Sequence, residues 1–408
     1  MYLGSRKPKR KDSPWRVLVL VVLIIAGLYV VREQIGGASW TLPFDATPTP
    51  TRSAASLFDE AETLYDEGLL DEAIERYEAA FASDPEDNIA LVRLVRLLVI
   101  RGRSAEALQR FGVRLMDPEQ GDARTLAVLG MALDWHAVFN REDLLPTYLA
   151  LQAISAEQVH ADDWAYSREK MTVDLVRAAQ KVCERAVRLD ADLPEAYACL
   201  AESLADRERY DEAESFALTG VELNPNIPDT QRALAFVYEK QGKYAEAIDA
   251  YAEAIRAHPR LGFLHLAMGK NYRAIGFRLQ LDGKWDEAMP YFEQAIASFE
   301  QAIRLDPEDP VSYDEIGWMY GHFMGDDRSF KQKGVDYLEE ALAQDPEYAL
   351  AYRHLGQVYY DLRNWEEATA AFSKALELGN IPSSDAVWAH ILTGWSYYVM
   401  DEDEQGKE

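Results

Sequence analysis

The chain has 408 residues, 48% of them hydrophobic, enough for a sizeable core in two or three domains or in one elongated array. Forty-two Lys and Arg against 70 Asp and Glu give a formal charge of −28, which argues against any surface built to grip phosphate backbones, so nucleic acid is not an expected partner. Two cysteines, Cys183 and Cys199, exclude a disulfide-dense scaffold and a four-cysteine zinc site.

Residues 1–32 carry seven basic side chains (Arg6, Lys7, Lys9, Arg10, Lys11, Arg16, Arg32) against Asp12 alone, which leaves 35 basic and 69 acidic residues, a formal −34, on residues 33–408. The basic stretch 1–16 reads as a cytoplasmic amino terminus. Val17 to Val31 is an unbroken apolar run of fifteen residues. That is short beside the roughly 17–25 helical residues that cross a bilayer, but Trp15 can sit at the interface and Arg16 and Arg32 can snorkel. Residues 17–32 are therefore read as a transmembrane anchor. The rival reading is a signal peptide cut near Gly36-Gly37-Ala38-Ser39, yielding a secreted binding module; Arg32, Glu33 and the lack of an Ala-x-Ala site favour an uncleaved anchor. Six of the seven basic residues precede the apolar run, so the body is expected outside the cytoplasmic membrane, an inverted orientation being opposed by this bias alone. Residues 33–53, with alternating Thr-Pro, read as a semi-rigid linker.

Beyond the linker the sequence repeats itself: DEAIERYEAAFASDPED returns as AEAIDAYAEAIRAHPRL, FEQAIRLDPEDP and EEATAAFSKALELGN. Pro225 and Pro259, Ala213 and Ala247, and Tyr238 and Tyr272 each lie 34 residues apart. Small residues recur midway along first helices (Ala61, Ala201, Ala235, Gly269, Gly317, Gly356), with a leucine or tyrosine one turn later (Leu64, Leu204, Tyr238, Tyr272, Tyr320, Tyr359). Second helices repeat Ala73, Ala107, Ala213, Ala247, Ala288 and Ala368, then Ala80, Ala186, Ala254, Ala302, Ala341 and Ala375. Gly68, Gly102, Gly242 and Gly283 fall where the first helix turns back, and Pro85, Pro225, Pro259, Pro307 and Pro346 follow the second.

This pattern resembles the tetratricopeptide repeat family over nearly everything from Ala54 to Met400. The resemblance implies an all-α, right-handed superhelical solenoid of antiparallel helix pairs, since one hairpin cannot bury its apolar face and stacked hairpins can. The register places repeats at 54–87 and 88–121 (together 54–121), degenerate helices of about two units at 122–193, and further repeats at 194–227, 228–261, 262–309, 310–348 and 349–382 (together 194–382). A capping helix and acidic tail occupy 383–408, with Ser383 or Ser384 capping a helix that runs through Trp388, Ile391, Trp395 and Tyr398 and covers the last repeat.

Two spacings depart from the period. Pro259 to Pro307 spans 48, fourteen over the period, divided as seven before Gly283 and seven within YFEQAIASFEQAIRL; equal lengthening of both helices predicts one tall repeat. Pro307 to Pro346 spans 39, and the five extra residues, within HFMGDDRSFKQKG, are read as a loop.

Little points to chemistry. The seven histidines are scattered, and no His-Glu-x-x-His helix, phosphate loop or nucleophile elbow is present. His322 with Asp326 and Asp327 is the nearest approach to a metal-ligand group, and a solvated polar loop is the preferred reading. No catalytic residue, cofactor or metal is nominated, and the chain is not read as an enzyme; the rival is an enzyme sited in 122–193, where Trp135, His136, His160 and Trp164 break the pattern. Cys183 and Cys199 are read as two buried thiols on neighbouring helices, although an oxidising compartment would permit a bridge.

The resemblance implies a protein- or peptide-binding groove lined by first helices. Carried onto this register, the groove positions are Arg232, Phe236, Lys240, Leu266, Lys270, Arg273, Trp318, Arg353, Gln357 and Tyr360, basic and aromatic residues suited to an extended peptide or acidic segment. A Lys-Asn clamp for acidic carboxyl-terminal peptides is not reproduced: Lys270 and Asn271 lack basic partners in adjacent repeats. The expected protein is a membrane-anchored scaffold, its body outside the cytoplasm, assembling an envelope complex.

Overall fold

The computed structural model describes residues 52–115, 122–139, 144, 147–148, 168–325, 327–379 and 381–405. The basic head, the apolar run 17–32, nearly all of the linker, and His160 and Trp164 lie outside these residues. Among the described residues there are seventeen α-helices and no strand, and no helix is long and apolar enough to cross a membrane.

The described helices form eight successive hairpins and a final single helix. They are α1 (Ala54–Glu67) with α2 (Leu70–Ser83), α3 (Asn88–Ile100) with α4 (Ser104–Leu115), and α5 (Ala123–Phe139) with α6 (Arg168–Leu189). Next come α7 (Pro194–Ala205) with α8 (Tyr210–Leu223), and α9 (Pro228–Lys240) with α10 (Tyr244–Ala257). Then follow α11 (Gly262–Leu281) with α12 (Trp285–Leu305), α13 (Pro310–Trp318) with α14 (Arg328–Gln344), and α15 (Ala349–Asp361) with α16 (Trp365–Leu378). Helix α17 (Ser383–Gln405) packs on α16.

The periodic residues do the work their size allows. Ala61, Ala73, Ala107, Ala201, Ala213, Ala235, Ala247 and their later counterparts are fully buried, and the glycines at the same positions receive rings: Phe299 lies over Gly269 and Phe372 over Gly356. Prolines occupy the first turn of α7, α9 and α13, where a missing N–H costs nothing. The carboxylates of Asp87, Asp309 and Asp327 accept backbone N–H bonds at the starts of α3, α13 and α14.

Between paired helices the chain passes through the left-handed region. Gly68, Gly102, Gly242 and Gly283 take φ of 72–82°, and the equivalent turn positions in α7–α8 and α15–α16 are Glu208 at 59° and Arg363 at 64°. A side chain there is strained, so Arg363→Gly should stabilise the eighth hairpin by up to about 1 kcal/mol. A lower urea midpoint for that variant would contradict this.

Helices α11 and α12 span 20 and 21 residues, each seven longer than α9 and α10, so the fourteen extra residues divide equally between two antiparallel helices. The insertion at 310–348 departs from expectation. Rather than a five-residue loop, the first helix continues through a π-helical turn at Met319–Phe323, only residues 324–327 connect, and α14 runs to 17 residues. A π-turn absorbs one extra residue without breaking the helix. Here it seats Gly321 against Val358 of the next hairpin.

Where about two degenerate units were expected at 122–193, the described residues form one hairpin, α5 on α6. It is joined to the stack through Gly130 and the two cysteines, which form a disulfide and so correct the reading of two buried thiols. The missing side chain of Gly130 is what leaves room for both sulfurs, on α6 and α7. Closing a loop of this length, 16 residues apart in sequence, contributes about 3 kcal/mol. Reduction of the folded protein should lower its denaturation midpoint accordingly, and an unchanged midpoint would deny the bridge a structural role.

The final helix covers the last hairpin as expected, through Ala389, Leu392 and Ser396, while Trp388, Ile391, Trp395 and Tyr398 on its other side are exposed.

Candidate functional site

First helices of successive hairpins lie side by side along one face of the stack, so their side chains meet across hairpin boundaries. In most such contacts a cation of one first helix meets a carboxylate of the next. Glu202 of α7 pairs with Arg232 of α9 at 2.6 Å, and Asp206 with Lys240 at 2.5 Å. Glu239 of α9 accepts from Asn271 of α11. Lys270 and Arg273 of α11 reach Glu315 of α13 at 3.5 and 3.2 Å, Asp314 of α13 meets His354 of α15 at 2.7 Å, and Arg353 meets Asp385 of α17 at 2.7 Å. The ladder neutralises most of the basic residues of this face.

The stack also curves until early hairpins touch later ones. The turn at Gly68 abuts the backbone of Arg260, Tyr65 packs against His258, Arg101 pairs with both Asp71 and Asp306, and Arg96 of α3 reaches Asp229 of α9 at 2.5 Å. A cavity of about 310 Å³ results, lined by α3, α5, α7 and α9. Its floor is apolar, from Val92, Ala127, Val128 and Met131, with Ile89 exposed at its edge, and its charged wall holds Arg93, Arg96, Glu202, Asp229 and Arg232. Arg124 stands exposed at the rim.

Burial sets the electrostatics of that wall. It pushes Asp229 upward, but the guanidinium groups of Arg96 and Arg232 outweigh it and hold the carboxyl below its ordinary range. Glu202 is raised by burial despite Arg232 and the Trp135 indole N–H it accepts at 2.9 Å. Asp134, on α5, is held well above the carboxylate range by burial and then by the charges of Asp206 and Glu202. Such an acid binds its proton more tightly folded than unfolded, so native stability falls as pH rises above about 4, where the unfolded carboxyl ionises. Asp134→Asn, which cannot ionise, should match wild type near pH 4 and gain on it as the pH rises. A pH slope of unfolding free energy equal to wild type would contradict this.

The ten groove positions fall into two groups. Arg232 is buried in the cavity wall, Phe236 is buried one turn further along α9, and Lys240 lies over the Phe236 ring at 4.9 Å, so this group is structural as much as accessible. In the second group Trp318 is stacked between His322 and His354, with centroids at 4.4 and 4.3 Å, and the Arg353 guanidinium lies 5.0 Å from its ring. Lys270 and Arg273 flank it, with Lys270 the most open at 41% exposure. Leu266 packs against the apolar cluster that holds Phe292, Phe299 and Trp318 itself, whereas Gln357 donates to Asp361 and Tyr360 meets Trp365 edge-on.

Sequence reasoning missed the cavity residues Arg93, Arg96, Arg124, Met131 and Asp229 and the carboxylates Glu202, Asp206 and Glu315. The signal available was their place on or at the ends of first helices, the elements that the resemblance assigns to the groove. His136 is buried. Among the described residues no three His, Cys, Asp or Glu side chains are placed to hold a metal ion.

Family profiles described as tetratricopeptide repeat match residues 226–301, and residues 58–112 and 328–384. A search of curated proteins returns no match. Among solved structures, the crystal structure of the APC/C hetero-tetramer Cut9-Hcn1 aligns with a TM-score of 0.55 at 14% identity over 86% of this chain, which spans only 57% of the length of that one. A thermophilic repeat protein of Thermus thermophilus, TTC0263, aligns over 49% of this chain and 98% of its own at 21% identity and a TM-score of 0.41. YrrB, described as a repeat protein with an unusual peptide-binding site, aligns over 52% of this chain and 98% of its own at 19% identity and a TM-score of 0.35.

Proposed function

We propose that this chain, a member of the tetratricopeptide repeat family, is a membrane-anchored scaffold that holds a protein partner against its first-helix face during assembly of an envelope complex. The fold supports an interaction scaffold. The observation that carries the finer reading is the cavity of about 310 Å³ on that face, apolar in its floor and rimmed by Arg124, with the Trp318 cluster and Lys270 on the same row of helices. A space of that size takes one or two large side chains of a partner, the anchor-in-pocket arrangement in which binding energy concentrates. Because the ion-pair ladder has cancelled most of the face's charge, the partner supplies an apolar or aromatic anchor with acidic residues reaching Arg124 and Lys270.

The apolar run 17–31 supplies the anchor and the Thr-Pro linker the spacing. The acidic body would be repelled by anionic headgroups, which favours a stack held away from the bilayer. The Cys183–Cys199 disulfide supports a body in an oxidising compartment, outside the cytoplasm.

Two measurements test this. Protease added outside intact cells should degrade the body, and a protected body would reverse the orientation. Cross-linking in intact membranes should recover a specific protein with wild type and much less of it with Arg124→Ala plus Lys270→Ala; equal recovery would remove the first-helix face as the binding surface.

A further inference from the structure

Helix α17 presents an apolar face that the other described residues leave open. Along α17, Val387, Trp388, Ile391, Trp395, Tyr397 and Tyr398 are all exposed, the two tryptophans at 55% each. Trp388, Ile391, Trp395 and Tyr398 follow one another at spacings of three, four and three residues and so form one stripe. Together the six side chains leave on the order of 600 Å² of largely apolar surface open. That stands at the upper end of the largest patch a monomer commonly leaves, and it approaches the roughly 800 Å² each partner contributes to a standard interface.

The stripe has relief as well as area. At Gly394 the helix surface is bare: a methyl group added there would meet nothing within 4 Å. Around it His390, Ile391, Trp395 and Tyr398 border a wide-open groove on the helix surface. One patch therefore carries both a projecting indole and a notch to receive one, the self-complementarity that a two-fold interface requires.

Charge selects both the occupant and its direction. Residues 383–405 include no Lys or Arg, and an Asp-Glu-Asp-Glu run occupies 401–404 at the helix's carboxyl end. An anionic lipid surface would repel such a helix. A second copy laid antiparallel sets each acidic end beside the other helix's amino-terminal turn, where backbone N–H groups and the helix dipole favour negative charge; a parallel arrangement would bring the two acidic ends together.

We infer that α17 is the contact of a symmetric homodimer, two copies crossing antiparallel at Gly394 with each Trp395 seated in the other's notch. The stripe shares no residue with the cavity or the Trp318 cluster, so the dimer is tested independently of partner binding there.

The test is sedimentation of the purified full-length chain in mild detergent. Wild type should sediment at twice the chain's mass. Gly394→Leu fills the notch without meeting any neighbour inside one chain, and Trp388→Asp plus Trp395→Asp reverses the stripe. Both variants should raise the dissociation constant by about 100-fold or more while keeping the wild-type melting curve of the monomer. Gly394→Cys should form a covalent dimer on mild oxidation, and Val113→Cys, an 87% exposed control on α4, should not. A monomeric wild type would overturn the inference, as would a dimer indifferent to both variants or equal cross-linking of the control. Open-ended higher masses would replace it with head-to-tail stacking.

Discussion

Gly334→Val is expected to destabilise the seventh hairpin by about 3 kcal/mol, the upper range for overpacking a site that cannot yield. Gly334 of α14 lies where a side chain would meet the Gly321 nitrogen at 2.7 Å, the Gly317 oxygen at 2.8 Å and the Gly321 Cα at 2.9 Å. All three obstacles are backbone. At Gly269 and Gly356 the obstacle is a phenyl ring, which can tilt, so valine there should cost less. Stability in a stack is shared mainly between neighbours, so hydrogen exchange should accelerate in α13–α16 and stay near wild type in α1–α8. Uniform acceleration would mean that the stack unfolds as one unit. A loss below about 1 kcal/mol would mean that α13 and α14 sit farther apart than the structure places them.

Arg232→Ala carries the second large effect. The guanidinium is buried, pairs with Glu202, faces Asp229 at 3.8 Å and lies over the Trp135 ring at 4.8 Å. Its removal leaves Asp229 to Arg96 but strips buried Glu202 of its cation, and breaking such a pair from one side costs about 3–5 kcal/mol. The paired change Arg232→Met with Glu202→Gln removes both charges and should recover most of that loss. If the double variant is as unstable as the single, packing against Trp135 rather than charge explains the cost.

Much of the stack was legible because close helix contact leaves few choices. Only alanine or glycine fits where two helices touch, so Ala61, Ala235 and Gly269 announced the hairpins, and the prolines marked their ends. The tall hairpin was legible for the same reason, since seven residues added to each of two antiparallel helices keep their ends in step. What failed has physical causes as well. Gly325 and the aspartates of the insertion read as loop, yet Asp327 caps a helix and the excess goes into helix length and a π-turn. The exposure of the α17 aromatics was not legible, because nothing local says which side of that helix meets the preceding hairpin.

The binding face was legible only in part. Repeat position located Arg232, Lys270, Arg273 and Trp318 on first helices, but the acids that pair with them come from the neighbouring hairpin. The cavity depends on curvature that brings α3 to α9, and no spacing within one repeat encodes that. The disulfide depends on the same kind of proximity, between helices whose packing Gly130 permits.

Whether a protein partner is held on the first-helix face is tested most directly by hydrogen exchange of the full-length chain, alone and bound to the partner recovered by cross-linking. Protection concentrated on α3, α5, α7, α9, α11 and α13, with α2, α8, α10 and α12 unchanged, is the predicted result. Protection confined to the second helices or to α17, with the first helices unaltered, would contradict it.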